Sequence, residues 1–472
     1  MSNLFSKDFE KNRKAMRALL RVDSSFDILT RAVLMEGKRA EIYFVDGMVR
    51  SESLEKILGL LLQLPAGALE KGTAEDFAAR AVPYGETDAV ADPAAFAAFV
   101  LSGCVGLLLE GYDRAVLIDV REYPTRPVME PENDRVLRGP REGFVESLLV
   151  NTAMVRRHIR DPRLTMELIQ AGGRSHTDVV LCYLEDRADQ KILGRLRKKL
   201  REIHVNTLTM GLQSLTECMT RGQWWNPFPR ARYTERPDTA AASVAEGQIL
   251  LLMDNTPAGM ILPTGILDFL QDTNDYCFLP VTGTYLRWLR LLVSVAGTLL
   301  TPLWYLAVTH PESLPEGLNI LKIHEQIGVP VLLQLLLIEA VVGTLKLASL
   351  NTPPALSGSF AVIGALVLGE FAVRSELLVP EAVLLMAFVA VANFAQPSYE
   401  LGYALMFARI AILLCSALLG WWGLLAGGAL LLATVSCTKT IAGTSYWYPL
   451  IPFNGRALSR LLFRRAINRD NS

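Results

Sequence analysis

Apolar positions change their spacing near Leu291. Before it they come in short runs and alternations, and after it they form long stretches that continue almost to the last residues. In the first part, residues 28–35 and 39–45 alternate around Glu36-Gly37-Lys38 and predict a hairpin. Residues 53–64 and 141–157 carry helical spacing, 178–184 form a continuous apolar run suited to a buried strand, and 189–202 predict a basic amphipathic helix. Strands and helices in alternation predict an α+β region of two mixed α/β lobes rather than a bundle.

One pattern occurs twice. Gly103 is followed by Val105, Leu107, Leu108, Leu109 and Glu110, and Gly247 by Ile249, Leu250, Leu251, Leu252 and Asp254. Each run meets a turn and a second apolar strand, at 115–120 and 259–262, so the two read as hairpins of one design. If they pair in one sheet, the first lobe is discontinuous and residues 142–233 form an inserted second lobe.

In the second part, about 20 apolar residues suffice to cross a bilayer. Residues 291–309, 329–349, 359–373 and 379–395 meet or approach that length, and 401–435, interrupted at Gly420, Trp421 and Trp422, reads as two spans joined by a tight turn. Arg287 and Arg290 precede the first span, and Arg456, Arg460, Arg464, Arg465 and Arg469 follow the last. Basic flanks at both ends predict cytoplasmic termini and an even number of crossings, about six, or four if the last run is a re-entrant hairpin. The expected organisation is a basic segment at 1–25, a first lobe at 26–140 with a completion at 239–283, a second lobe at 141–238, a transmembrane helical domain at 284–455 and a basic tail at 456–472.

Composition adds little. A net charge of −1, 20% charged residues and a mean hydropathy of +0.28 average two unlike regions over 472 residues. No basic stripe with interleaved aromatics occurs, so nucleic acid is not an expected partner. The start of the chain has basic residues without the apolar core of a secretory signal. Six scattered cysteines lack CxxC spacing, and the five histidines are isolated, which predicts reduced thiols and no metal site. A Walker-type loop, a GxSxG elbow and HExxH are all missing, so no catalytic residue and no cofactor is expected.

Ionisable groups inside spans cost at least about 2.5 kcal/mol at mid-membrane and face a bundle interior or a watery path. Here they are Glu339, Lys346, Glu370 and Arg409, with polar Asn393. Glu339 and Lys346, seven residues apart, share a helix face, as pore-lining groups or as polar glue between helices. Arg409 reads either as a further pore-lining group or as an ion-pair partner of Glu400 or Glu370. In the soluble part Tyr233, Glu235, Arg236 and Asp238 form a candidate assembly motif, in which Arg236 could hold a carboxylate in a bidentate bond and lock the N-terminal region onto the membrane part.

The stretch Trp225-Asn226-Pro227-Phe228-Pro229-Arg230-Ala231-Arg232-Tyr233-Thr234-Glu235-Arg236-Pro237-Asp238 resembles the signature of the GerA family of spore germination proteins. Tyr43-Phe44-Val45-Asp46-Gly47, Glu110-Gly111-Tyr112-Asp113, Ile159-Arg160-Asp161-Pro162-Arg163-Leu164 and Tyr448-Pro449-Leu450-Ile451-Pro452-Phe453-Asn454 resemble one branch of it. Asp254-Asn255-Thr256 departs from the Asp-Gly-Thr usual among receptor subunits of the family. The resemblance implies a multi-pass protein of the spore inner membrane with a two-lobed cytoplasmic head. It also implies membrane lipid, further copies of the chain and other spore membrane germination proteins as partners, with a role either as an ion-conducting subunit or as a non-conducting scaffold or signal-transducing subunit.

Overall fold

The computed structural model describes residues 4–65, 67–69, 72–82, 86–123, 136–220, 222, 225–313, 328–351 and 372–464. They fall into two compact units. One comprises Met1–Arg221, Ala231–Thr264 and Thr440–Thr444, and the other Gly222–Arg230, Gly265–Lys439 and Ser445–Ser472.

The first unit holds two five-stranded sheets of one topology. The first lobe runs α1 (Phe9–Leu20), β1 (Ile28–Met35), β2 (Lys38–Val45), α2 (Ser51–Leu62), α3 (Ala74–Ala81), β3 (Glu86–Val90), α4 (Pro93–Leu101), β4 (Val105–Leu109) and β5 (Ala115–Asp119). The second repeats the order with α5 (Leu148–His158), β6 (Leu164–Ala171), β7 (Thr177–Leu184), α6 (Gln190–Arg201), α7 (Leu212–Met219), β8 (Arg232–Thr234), α8 (Pro237–Ala245), β9 (Ile249–Met253) and β10 (Gly259–Leu262). The strand orders, β1-β2-β4-β5-β3 and β6-β7-β9-β10-β8, correspond element for element. Every pairing is antiparallel.

The two similar hairpins are therefore equivalent strands of two sheets, and the expected completion of the first lobe by residues 239–283 is not found. Val179, Val180, Leu181 and Cys182 of β7 take up β9, whereas β4 pairs with β2 of its own lobe. The sequence similarity reflects a repeated unit. Gly103 and Gly247 both have φ of +100°, and a Cβ added to either would come within 3.1 Å of a carbonyl oxygen, that of Met48 in one lobe and of Arg187 in the other. Glycine alone suits both the left-handed backbone and that approach.

Helices cover both faces of each sheet, which is why β4, β5, β9 and β10 read as continuous apolar runs rather than alternations. In the first lobe Ile42, Ile57, Phe77, Leu107 and Val116 fill one face, and Met16, Tyr43, Phe96 and Leu117 the other. In the second lobe Val179, Leu193, Leu196 and Leu251 pack on one face, where Ile441 and Ala442 are also fully buried, and Phe144, Val180, Val244 and Leu250 on the other. The 440–444 segment is held there by Arg195, whose Nη1 donates to the carbonyls of Ala442 and Gly443 at 3.1 Å each.

Fully buried Arg156 of α5 joins the lobes. Its Nε donates to Asp27 Oδ2 at 2.8 Å and its Nη2 to Asp27 Oδ1 at 3.0 Å and Ser25 Oγ at 3.1 Å. The helix expected over 141–157 begins only at Leu148, because Asn151 accepts from the Val145 amide and donates to its carbonyl, which keeps the preceding chain extended.

The second unit is helical: Pro280–Thr309, Val331–Asn351, Pro380–Phe394, Tyr399–Leu419, Trp421–Cys437 and Gly455–Leu462, besides single turns. Three of these helices, beginning at Pro280, Val331 and Tyr399, are long and apolar enough to cross a membrane, while 380–394 and 421–437 are shorter apolar helices. Six spans are thus more than the described helices supply, because 15 and 17 residues fall short of the usual length. The expected span at 359–373, with Glu370, lies outside the described residues apart from its last two positions.

The long apolar run divides at Gly420, φ +59°, as its sequence suggested. The two helices that meet there pack without room for side chains. A Cβ at Gly423 would overlap the Cys415 carbonyl, and one at Gly427 would come within 2.8 Å of the Ile412 Cα.

Candidate functional site: charges among the apolar helices

The helical unit buries several ionisable side chains. Glu339, 6% exposed, projects from the 331–351 helix and Arg409, 2% exposed, from the 399–419 helix. The guanidinium forks onto the carboxylate, Nε to Oε2 at 3.2 Å and Nη2 to Oε1, while Nη1 donates to the Gly297 carbonyl of the 280–309 helix at 2.7 Å. One arginine thus ties three helices. Ala or Leu at 409 would strand the carboxylate, and a buried charge without its partner is costly.

Arg409 therefore pairs with Glu339 rather than with Glu400, and the other expected partner, Glu370, lies outside the described residues. Lys346 does not join it: its Nζ stands 4.2 Å from the Tyr403 ring centre and 5.8 Å from that of Tyr399, a cation over aromatic faces. Asn393 is half-buried near the end of the 380–394 helix, where its carbonyl accepts from the Gln396 amide.

A second cluster lies at the start of the 280–309 helix. Asp275, wholly buried, accepts from Arg287 Nε at 3.2 Å, from Arg290 Nη1 at 3.1 Å and from Arg290 Nη2. Arg287 Nη1 also donates to the carbonyls of Arg460 at 2.8 Å and Leu461 at 3.2 Å, and Arg290 Nη1 to that of Leu270 at 2.6 Å. In the sequence these arginines show only as charge flanking the first span. Asp275 carried no signal, since it lies outside the apolar helix in a short 3-10 turn.

The motif residues separate between the units. Asn226 donates to Thr438 Oγ1 at 2.7 Å, and the Pro229 carbonyl accepts from the Tyr446 hydroxyl at 2.7 Å. Phe228 packs with Phe269, Leu401, Val435 and Tyr446. All of these belong to the helical unit. Tyr233, Glu235, Arg236 and Asp238 belong to the first. Tyr233 bonds Thr216 through its hydroxyl at 2.6 Å, and the Glu235 carbonyl accepts from the Phe144 amide. The bidentate carboxylate for Arg236 is Asp238 itself, at 3.1 and 2.7 Å, and Arg236 Nη2 also reaches the Pro140 carbonyl at 2.9 Å. Those bonds fasten the first turn of α8 inside its own lobe. Among the described residues no group of three His, Cys, Asp or Glu side chains gathers where it could hold a metal.

Residues 15–472 match the model of the Bacillus/Clostridium GerA spore germination protein family. The chain is 34% identical over 456 residues to Stage V sporulation protein AF of Bacillus subtilis (strain 168), covering 97% of this chain and 92% of that one, in keeping with the branch its motifs resemble. It is 27% identical over 452 residues to Spore germination protein KA of the same organism, covering 94% and 82%. The crystal structure of the N-terminal domain of the A subunit of the Bacillus megaterium spore germinant receptor GerK3 matches 55% of this chain and 96% of that one, at 24% identity and a TM-score of 0.43. The chain belongs to the GerA family of spore germination proteins.

Proposed function

We propose that the chain is a multi-pass subunit of the spore inner membrane, with both termini cytoplasmic, that assembles with copies of itself and with other spore membrane germination proteins into an ion-conducting complex promoting ion release. It acts without catalysis. Relatives named for spore germination and sporulation support the setting. The observation that carries the membrane role is the burial of Glu339, Arg409 and Lys346 among helices apolar enough to span a bilayer. Charge in such a place is retained for structure or for transport.

The Glu339–Arg409 bond favours a second reading, a non-conducting scaffold or signal-transducing subunit, because both charges are neutralised within one chain. Purified protein in liposomes separates the two. Ion flux that rises with oligomer content and changes on Glu339→Gln supports conduction. A stable oligomer without flux that binds other germination proteins supports the scaffold.

A further inference from the structure

The 280–309 helix is longer than a bilayer needs. Its 30 residues extend about 45 Å, against a hydrocarbon thickness of about 30 Å. Roughly ten residues must stand outside the apolar layer, and the polar end is the first, with Thr284, Arg287 and Arg290. The final described helix, Gly455–Leu462, is fastened to this end. The carbonyls of Arg460 and Leu461 accept from Arg287, and the Arg464 amide donates to Thr284 Oγ1 at 3.1 Å. The Phe463 ring meets that of Trp288 edge-on, with centres 6.1 Å apart.

The Gly455–Leu462 helix is therefore held at headgroup depth, and its residues suit that position. At 3.6 residues per turn Arg456 and Arg460 fall on one side, and Ala457, Leu458, Leu461 and Leu462 on the other. No residue of this helix is buried. The preceding loop presents Ile451 and Phe453 at 63% and 74% exposure. Basic and apolar faces side by side, with aromatic rings at the boundary, are the composition of a helix lying in a membrane interface.

We propose that the 448–464 segment is an interfacial anchor that lies on an anionic lipid leaflet, with its leucines and Phe453 among the acyl chains and Arg456 and Arg460 on the phosphate headgroups. The proposal rests on the membrane reading of the helical unit. Near an anionic surface each arginine strengthens binding about fivefold. The anchor thus responds to lipid charge, which a helix stabilised only by its own bonds does not.

The test is amide hydrogen exchange of the full chain in nanodiscs of phosphatidylcholine alone and of phosphatidylcholine with phosphatidylglycerol. Exchange across 455–464 is expected to slow in the anionic discs, and the double substitution Arg456→Gln, Arg460→Gln to abolish that difference while protection across 291–309 is unchanged. Equal exchange in both discs in the unsubstituted chain overturns the proposal. So does protection that follows protein concentration rather than lipid charge, which would mean that a second copy covers the face. A chain that fails to enter nanodiscs removes the membrane reading as well.

Discussion

Asn12 and Asn151 perform one task in two places. Each is the fourth residue of its helix, accepts from the amide of the residue six positions earlier, Ser6 or Val145, and donates to the carbonyl of that same residue. Both clamp the chain leading into the first helix of a lobe. Asn151 is fully buried and Asn12 is 9% exposed. Replacing either by Ala leaves a backbone amide and carbonyl unpaired, at about 1–3 kcal/mol for a buried group. Denaturant unfolding of the full chain in detergent should show Asn151→Ala to be the more damaging of the two, since less water can reach its orphaned partners.

The Glu339–Arg409 bond predicts an asymmetry between single and double substitutions. Arg409→Met or Glu339→Leu alone leaves one charge buried and should lower stability by about 3–5 kcal/mol. The double substitution removes both charges together and should recover most of that loss, because what remains is apolar contact among three helices. Thermal denaturation of the four proteins checks it; a double variant no more stable than either single one would contradict the account.

Three glycines of one helix should differ sharply. Gly423→Ala forces a methyl into the Cys415 backbone and should separate the helices that meet at Gly420, with loss of folded protein from the membrane fraction. Gly428→Ala enters open space and should be neutral or slightly stabilising, since Ala favours helix by about 1 kcal/mol. Gly427→Ala should lie between them. Expression and thermal stability of the three variants form the comparison.

Acid should weaken the first lobe over a defined range. Arg39 holds the Glu110 carboxyl down to about 2, through its side chain first and its backbone amide second. A carboxylate of lowered pKa contributes stability that is fully present above its unfolded value, about 4.3, and lost as pH falls toward 2. In the second lobe His158 likewise lowers Glu142, against the opposing effect of burial. Thermal scans between pH 6 and 2 should show midpoints falling below about pH 4.5, and Glu110→Gln should make that fall shallower.

Local order was legible in the chain, and nonlocal pairing was not. The β1–β2 hairpin follows directly from alternation around Glu36 and Gly37, whose φ values of +47° and +77° suit a tight turn. The likeness of 103–110 to 247–254 was also readable, and it marked a true repetition. Which sheet each hairpin joins was not, because two mostly apolar hairpins of similar length satisfy either sheet and the pairing is decided by strands more than 60 residues away. Arg236 invited the expectation of a distant carboxylate that it would hold in a bidentate bond, and the carboxylate it holds stands only two residues further on, in the same unit. Arg409 was singled out for its cost in an apolar helix, yet its partner Glu339 lies 70 positions away, beyond the reach of helical spacing. Asp275 had no pattern at all, since its importance comes only from two guanidiniums folded onto it.

Ile441 and Ala442 finish the hydrophobic interior of the second lobe although the chain reaches them only after its last long apolar helix. A recombinant head cut before Pro280 would lack them, leaving a gap in that core and Arg195 without its two carbonyls. Such a fragment invites self-association for reasons unrelated to its biology, and splicing residues 440–444 onto its end through a flexible tether is the remedy the architecture itself recommends.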